Sequence, residues 1–140
     1  MARLNKTASE AMRSVRTHAA TDVTGFGLAG HLKEMIKESV GVELFSDKLP
    51  YFEEAPGLAA SGMMPGGLYR NKDFYSPHVE GKTGGFAGDI IYDPQTSGGL
   101  LMAIHPDDLA DFEATAKGMA LDYWIIGKIL EEPRGKIVLR

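Results

Sequence analysis

Ten of the seventeen glycines fall in the 43 residues from Gly57 to Gly99. Glycine weakens the interior of helices and strands, so it is favoured where the backbone turns, a helix ends or another group comes close. At about 12% of the chain, against a usual ~7%, this clustering limits which segments can hold regular structure. No collagen-like period accompanies it. The stretch Met63–Gly88 holds Gly66-Gly67, Gly81 and Gly84-Gly85 without a clear helical or strand period, and reads as a long loop. Elsewhere the composition is ordinary, 44% hydrophobic and 24% charged. The 140 residues suit one domain with its own core, residues 1–140. The absence of cysteine excludes disulfides, zinc–thiolate sites and a thiol nucleophile within these residues.

The net charge of −4 argues against duplex nucleic acid as a partner, because phosphate binding wants a basic face. The first eighteen residues run the other way: Arg3, Lys6, Arg13 and Arg16 face only Glu10, a net +3. That start fits an amphipathic helix or an organelle transit peptide, and the helix is the simpler reading. The longest apolar run, Leu100–Ile104, is far below the ~20 residues of a membrane span. With no secretory apolar segment either, a cytoplasmic protein without a membrane partner is expected.

Periodicity predicts a helix over about Asn5–Arg16, with Leu4, Ala8, Met12 and Val15 on its buried face and either a capping box at Thr7–Glu10 or Asn5 as its cap. A second helix spans Gly27–Ser39, burying Leu28, Leu32, Met35 and Ile36. Val42–Phe45 reads as a strand, Ala55–Ser61 as a short helix, and Asp89–Tyr92 and Gly99–Ile104 as strands. Pro106, Asp107 and Asp108 open a third helix that ends near Gly118 and buries Leu109, Phe112 and Ala116. Tyr123–Leu130 and Lys136–Leu139 read as strands, and Trp124 as core. Helices and strands without strict alternation give an α+β class, with helices covering a mostly antiparallel sheet.

Gly25-Phe26-Gly27-Leu28-Ala29-Gly30 matches GxGxxG, and Asp47 stands where a ribose-binding acid sits in dinucleotide sites. That motif needs a buried apolar strand before it, and His18–Val23 is too polar for a central parallel strand. A phosphate-side reading suits the residues better. Backbone N–H groups at a glycine-opened helix attract phosphate oxygens, and a neighbouring carboxylate can hold Mg²⁺, which takes one or two protein carboxylates plus phosphates. Asp22 and Thr24 therefore have two readings, helix cap or magnesium–phosphate site. Gly81-Lys82-Thr83 fails as a P-loop because position 76 is serine. His18, His31, His78 and His105 lack metal-ligand spacing and read as structural. Asp93–Leu101 reads as a tight structural connection, with Asp93 alternatively facing a partner.

Two strings together resemble one family. Ala20-Thr21-Asp22-Val23-Thr24-Gly25-Phe26-Gly27-Leu28, followed by Gly30-His31-Leu32, is similar to a signature of the selenophosphate synthetases (selenide, water dikinases), and Asp93–Leu101, DPQTSGGLL, to a second. Leu4-Asn5-Lys6 with Ala8 and Met12 is similar to the start of that family's C-terminal domain. The resemblance implies a three-layer α/β/α C-terminal domain, related to aminoimidazole ribonucleotide synthetase, with partial ferredoxin-like topology. It implies an enzyme that makes selenophosphate, AMP and phosphate from ATP, selenide and water. Its cysteine or selenocysteine and most ATP contacts belong to an N-terminal domain outside these residues. Asp22 would then help bind Mg²⁺ beside ATP, while Thr21, Thr24, Gly25 and Gly27 shape the same wall and Asn71 joins it through a glycine-to-asparagine segment beginning at Gly67. No catalytic residue is expected here, nor tight binding of ATP or Mg²⁺ to this domain alone. The partners implied are the N-terminal domain and a possible second copy. The other readings are a free-standing binding or dimerisation module and, last, a dinucleotide-binding domain.

Overall fold

A computed structural model describes residues 4–140, so Arg3 and its part in the basic start lie outside the described residues. In chain order the elements are α1 (Lys6–Met12), β1 (Thr17–Asp22), α2 (Gly27–Ile36), β2 (Gly41–Leu44), α3 (Ala55–Ala60), α4 (Gly66–Tyr75), β3 (Val79–Gly81), α5 (Gly85–Ile90), β4 (Leu100–Ile104), α6 (Leu109–Gly118), β5 (Gly127–Leu130) and β6 (Ile137–Leu139). Helices and strands mix without a repeating βαβ order, and the α+β class holds.

The strands form two sheets. β1 and β4 make an antiparallel ribbon, while the second sheet has the order β3-β6-β2-β5. Within it β2 runs antiparallel to β5, and β6 lies parallel to both β2 and β3. The expected mostly antiparallel sheet is corrected here: the four described pairings divide evenly between the two senses. The dinucleotide reading also loses its frame. β1 and β2, which flank the GxGxxG helix, lie in different sheets, so no parallel βαβ unit forms around it.

α2 packs against β1, β2, β6 and α4, which places the main core at its inner face. Leu32 and Ile36 are buried there with Leu44, Ile91, Tyr92, Ile137 and Leu139, while Leu28 and Met35 pack at the edge. The predicted apolar stripe of this helix is therefore its core face. A smaller cluster joins α1 to α6 through Ala11, Phe112 and Ala116, with Val15, Met102, Ile104 and Leu121 around it. The predicted face of α1 shifts by part of a turn: Ala11 is the buried residue and Leu4 is 78% exposed. α1 also stops at Met12, and its N-cap Asn5 makes no side-chain capping bond.

The predicted loop Met63–Gly88 is mostly regular. α4 takes Gly66 at its first position, where glycine costs a helix least, and buries Leu68 and Tyr75 two turns apart. Asp89–Tyr92, expected as a strand, instead ends α5, because a short apolar run does not distinguish a buried helix end from a strand. Trp124, expected in the core, is 57% exposed on the coil before β5. Tyr123 beside it packs edge-on against Phe112 at 5.6 Å.

Asp108 anchors the start of β1 to the α6 entry. Its carboxylate accepts from the Arg16 backbone N–H at 2.8 Å and from Nε and Nη2 of the Arg16 guanidinium, at 2.8 and 2.5 Å. These hydrogen bonds hold its pKa well below the ordinary carboxylate range. A depressed carboxylate pKa contributes stability that is complete above the unfolded value, ~3.9 for Asp, and lost as pH falls towards the folded value. Asp108→Asn should therefore flatten the loss of melting temperature below about pH 4 relative to the parent chain. Leu44→Ala, at a position with no exposure, should cost about 2–5 kcal/mol in equilibrium unfolding.

Candidate functional site

Alternation along β1 leaves Thr21 half-buried and turns Asp22 outward. The next residue extends the ribbon: Val23 donates its N–H to the Gly99 carbonyl and accepts from the Gly98 N–H, both at 3.0 Å. Thr24 is fixed on both sides of its main chain. Its carbonyl accepts from the Gly27 and Gln95 N–H groups, each at 3.0 Å. Its own N–H donates to Nε2 of His31 at 3.0 Å, and its hydroxyl lies 3.1 Å from the same nitrogen.

His31 is buried. A ring nitrogen that accepts a backbone N–H carries no proton, so the His31 proton sits on Nδ1. That atom has no hydrogen-bond partner, and the nearest Glu34 carboxylate oxygen is 3.6 Å away. The structural reading of this histidine acquires a definite content: it holds Thr24. Only the four-residue spacing from Gly27 to His31 hinted that His31 shares a helix face with the glycine turn, and the hint was too weak to name its partner.

α2 begins at Gly27 with φ +67°, a conformation side chains rarely adopt. A Cβ there would lie 2.8 Å from the Tyr92 carbonyl carbon and 2.9 Å from the Ile91 carbonyl oxygen. The close approach lets Ala29 donate its N–H to Ile91 at 2.8 Å. The sequence expectation of N–H groups open to phosphate at this helix start is thereby corrected: Gly27 and Ala29 are already bonded within the chain, and Gly27 is buried. The cap reading fails too. The N-cap is Phe26, with no side-chain capping bond from Asp22 or Thr24.

Asn71 of α4 ties the first string to the residue that precedes the second. Its amide nitrogen donates to the Gly25 and Tyr92 carbonyls, both at 2.9 Å. Both donors of that group are thus used on main chain. Gly98 sits so close to Val23 that a Cβ would lie 2.3 Å from the Val23 carbonyl oxygen, and Asn5 donates its amide to the Gly98 carbonyl at 3.1 Å. Asp93 accepts from the Gln95 side chain at 2.7 Å. Burial pushes its pKa up, and the Gln95 bond opposes the shift. The Asp93–Leu101 segment therefore serves as the structural connection that its sequence suggested.

Asp22 stands apart from this network. Its side chain is exposed and makes no hydrogen bond or ion pair among the described residues. No group of three metal-ligating side chains occurs among them either. A single free carboxylate fits Mg²⁺, which keeps several waters and takes one or two carboxylates plus substrate phosphates. It does not fit a cation caged wholly by protein. Of two shallow surface pockets, about 220 Å³ beside Leu4 and Met119 and about 190 Å³ beside Pro56 and Phe86, neither includes Asp22.

A profile of the AIR synthase related protein, C-terminal domain, matches residues 1–140. The selenide, water dikinase of Pelobacter propionicus is 38% identical over 143 residues, which cover 99% of this chain and 41% of that protein. Selenide, water dikinase 2 of Peptoclostridium acidaminophilum is 41% identical over 145 residues, with the same two coverages. The chain thus spans about two-fifths of the length of these relatives. The crystal structure of tt0281 from Thermus thermophilus superposes with a TM-score of 0.58 at 21% identity, over 93% of this chain and 34% of that one, a likeness of fold.

The two glycines of the turn separate packing from ligand access. Gly27→Ala should lower unfolding stability by more than about 2 kcal/mol, through strain and overpacking. Gly25→Ala, with nothing within 4 Å of the new Cβ, should change it by no more than about 0.5 kcal/mol. Equal losses in chemical denaturation would contradict the packing described.

Proposed function

Because this chain belongs to the AIR synthase related family through its C-terminal domain, we propose that it works as that domain of an enzyme making selenophosphate from ATP, selenide and water. The observation that carries the proposal is Asp22, a free outward carboxylate at the end of β1, beside a loop whose main chain is bonded internally. Asp22 would hold Mg²⁺ on the phosphate side of ATP. The metal would supply positive charge that offsets charge on the phosphate oxygens during transfer.

The chain's own residues do the positioning. Thr21, Thr24 and Gly25 form the wall next to Asp22. Gly27 sets the helix behind it, and Asn71 fixes Gly25. Closure of a second domain over this wall would exclude water and strengthen the pull of Asp22 on the cation. Exposed Phe52, Met63, Phe74 and Trp124 provide apolar surface for meeting another domain, or a second copy. The selenium-handling group lies outside these residues, which contain no cysteine.

The test places this chain in the matching segment of the Pelobacter propionicus protein and measures AMP formed from ATP and selenide. The graft should turn over, and the chain alone should not. Substantial AMP formation by the chain alone would overturn the dependence on a second domain. In the graft, Asp22→Ala should raise the Mg²⁺ needed for half-maximal rate at least about ten-fold. An unchanged Mg²⁺ requirement removes Asp22 from the site.

A further inference from the structure

The Asn71 side chain does more than pack. It lies on α4 yet bonds two carbonyls from segments 67 residues apart, Gly25 and Tyr92, at 2.9 Å each. The Gly25 carbonyl follows Thr24 directly, three residues from Asp22. The Tyr92 carbonyl adjoins the Ile91 carbonyl that receives Ala29. Gly25 itself is exposed, and a Cβ built on it would meet nothing within 4 Å. With both amide hydrogens engaged, Asn71 presents no N–H to a ligand and acts on the main chain instead.

We propose that Asn71 is a positioning residue: its carboxamide clamps the Gly25 turn onto Tyr92 and so presets the Asp22 loop for the Mg²⁺–phosphate group. The functional half rests on the reading of Asp22 given above. The clamp itself is a feature of the folded chain and exists without metal. It predicts an asymmetry between near-isosteric side chains. Aspartate at this position has the same shape but directs a carboxylate oxygen at two carbonyl oxygens, which leaves both without a donor and adds repulsion. Serine keeps one short donor and no charge.

Two measurements test this. In the chain alone, without metal or nucleotide, Asn71→Asp should speed amide hydrogen exchange at Gly27 and Ala29 at least about ten-fold, because opening of the turn becomes easier. Exchange in α6, remote from the clamp, should be unchanged. In the graft, assayed well below the melting temperature, Asn71→Asp should raise the Mg²⁺ requirement about 10–100-fold, the usual cost of losing a group that orients a metal ligand. Asn71→Ser should fall between the aspartate variant and the parent, and it supplies the comparison if the aspartate variant does not fold. A merely structural asparagine would lower the melting temperature and leave the Mg²⁺ requirement unmoved, and that result overturns the proposal. Asp22→Asn, run in parallel, separates the two failures. If it too leaves the Mg²⁺ requirement unchanged, the metal reading of Asp22 falls and takes the functional half of the proposal with it. If it raises the requirement while Asn71→Asp does not, the clamp alone falls.

Discussion

The backbone interlock between residues 23–29 and 91–99 is the constraint on which the rest of the candidate site depends. Five main-chain bonds cross it or brace it: Val23 with Gly98 and Gly99, Thr24 with Gln95 and Gly27, and Ala29 with Ile91. Unpaired buried N–H and C=O groups are costly, so a helix start pressed into the core must find partners inside the protein. Here it finds them in main chain rather than in a capping side chain. That choice requires the two segments to approach more closely than any side chain allows, at Gly27 against Tyr92 and at Gly98 against Val23. The two sequence strings are thus two halves of one contact.

The interlock also sorts the neighbouring polar groups. Thr24, His31, Gln95 and Asn71 all spend hydrogen bonds on the turn or on one another's segments. Asp22 spends none. A carboxylate left out of such a network lowers its free energy by binding a cation, and a well-braced backbone lets it do so without ordering the loop at that moment. At the helix start the Gly27 and Ala29 N–H groups are already spent on Thr24 and Ile91, which favours the metal-bridged mode proposed above over direct phosphate capture by those two groups.

Much of the fold was legible from periodicity. The stripe Leu28, Leu32, Met35 and Ile36, and the face Phe112 and Ala116, are where three-to-four spacing put them, because a helix with one buried side writes that spacing into its sequence. The stretch from Met63 to Gly88 was not legible. α4 buries only Leu68 and Tyr75, and α5 carries two glycines in six residues, so neither presents an apolar period. Trp124 misled because size alone argued for burial, whereas large apolar groups also stand on surfaces. Asp22, Thr24 and the glycines were visible as a string. Asn71 entered only through the family resemblance, and its bonds to the Gly25 and Tyr92 carbonyls were not visible; nor was Ile91, because no local pattern encodes a hydrogen bond to a carbonyl far along the chain.

The most direct test is a crystal structure of the graft with Mg²⁺ and a non-hydrolysable ATP analogue. An Asp22 oxygen should lie about 2.0–2.1 Å from the metal, with the Ala29 N–H still on the Ile91 carbonyl. Phosphate oxygens seated on the α2 N–H groups, with Ile91 displaced and Asp22 free of metal, would contradict it.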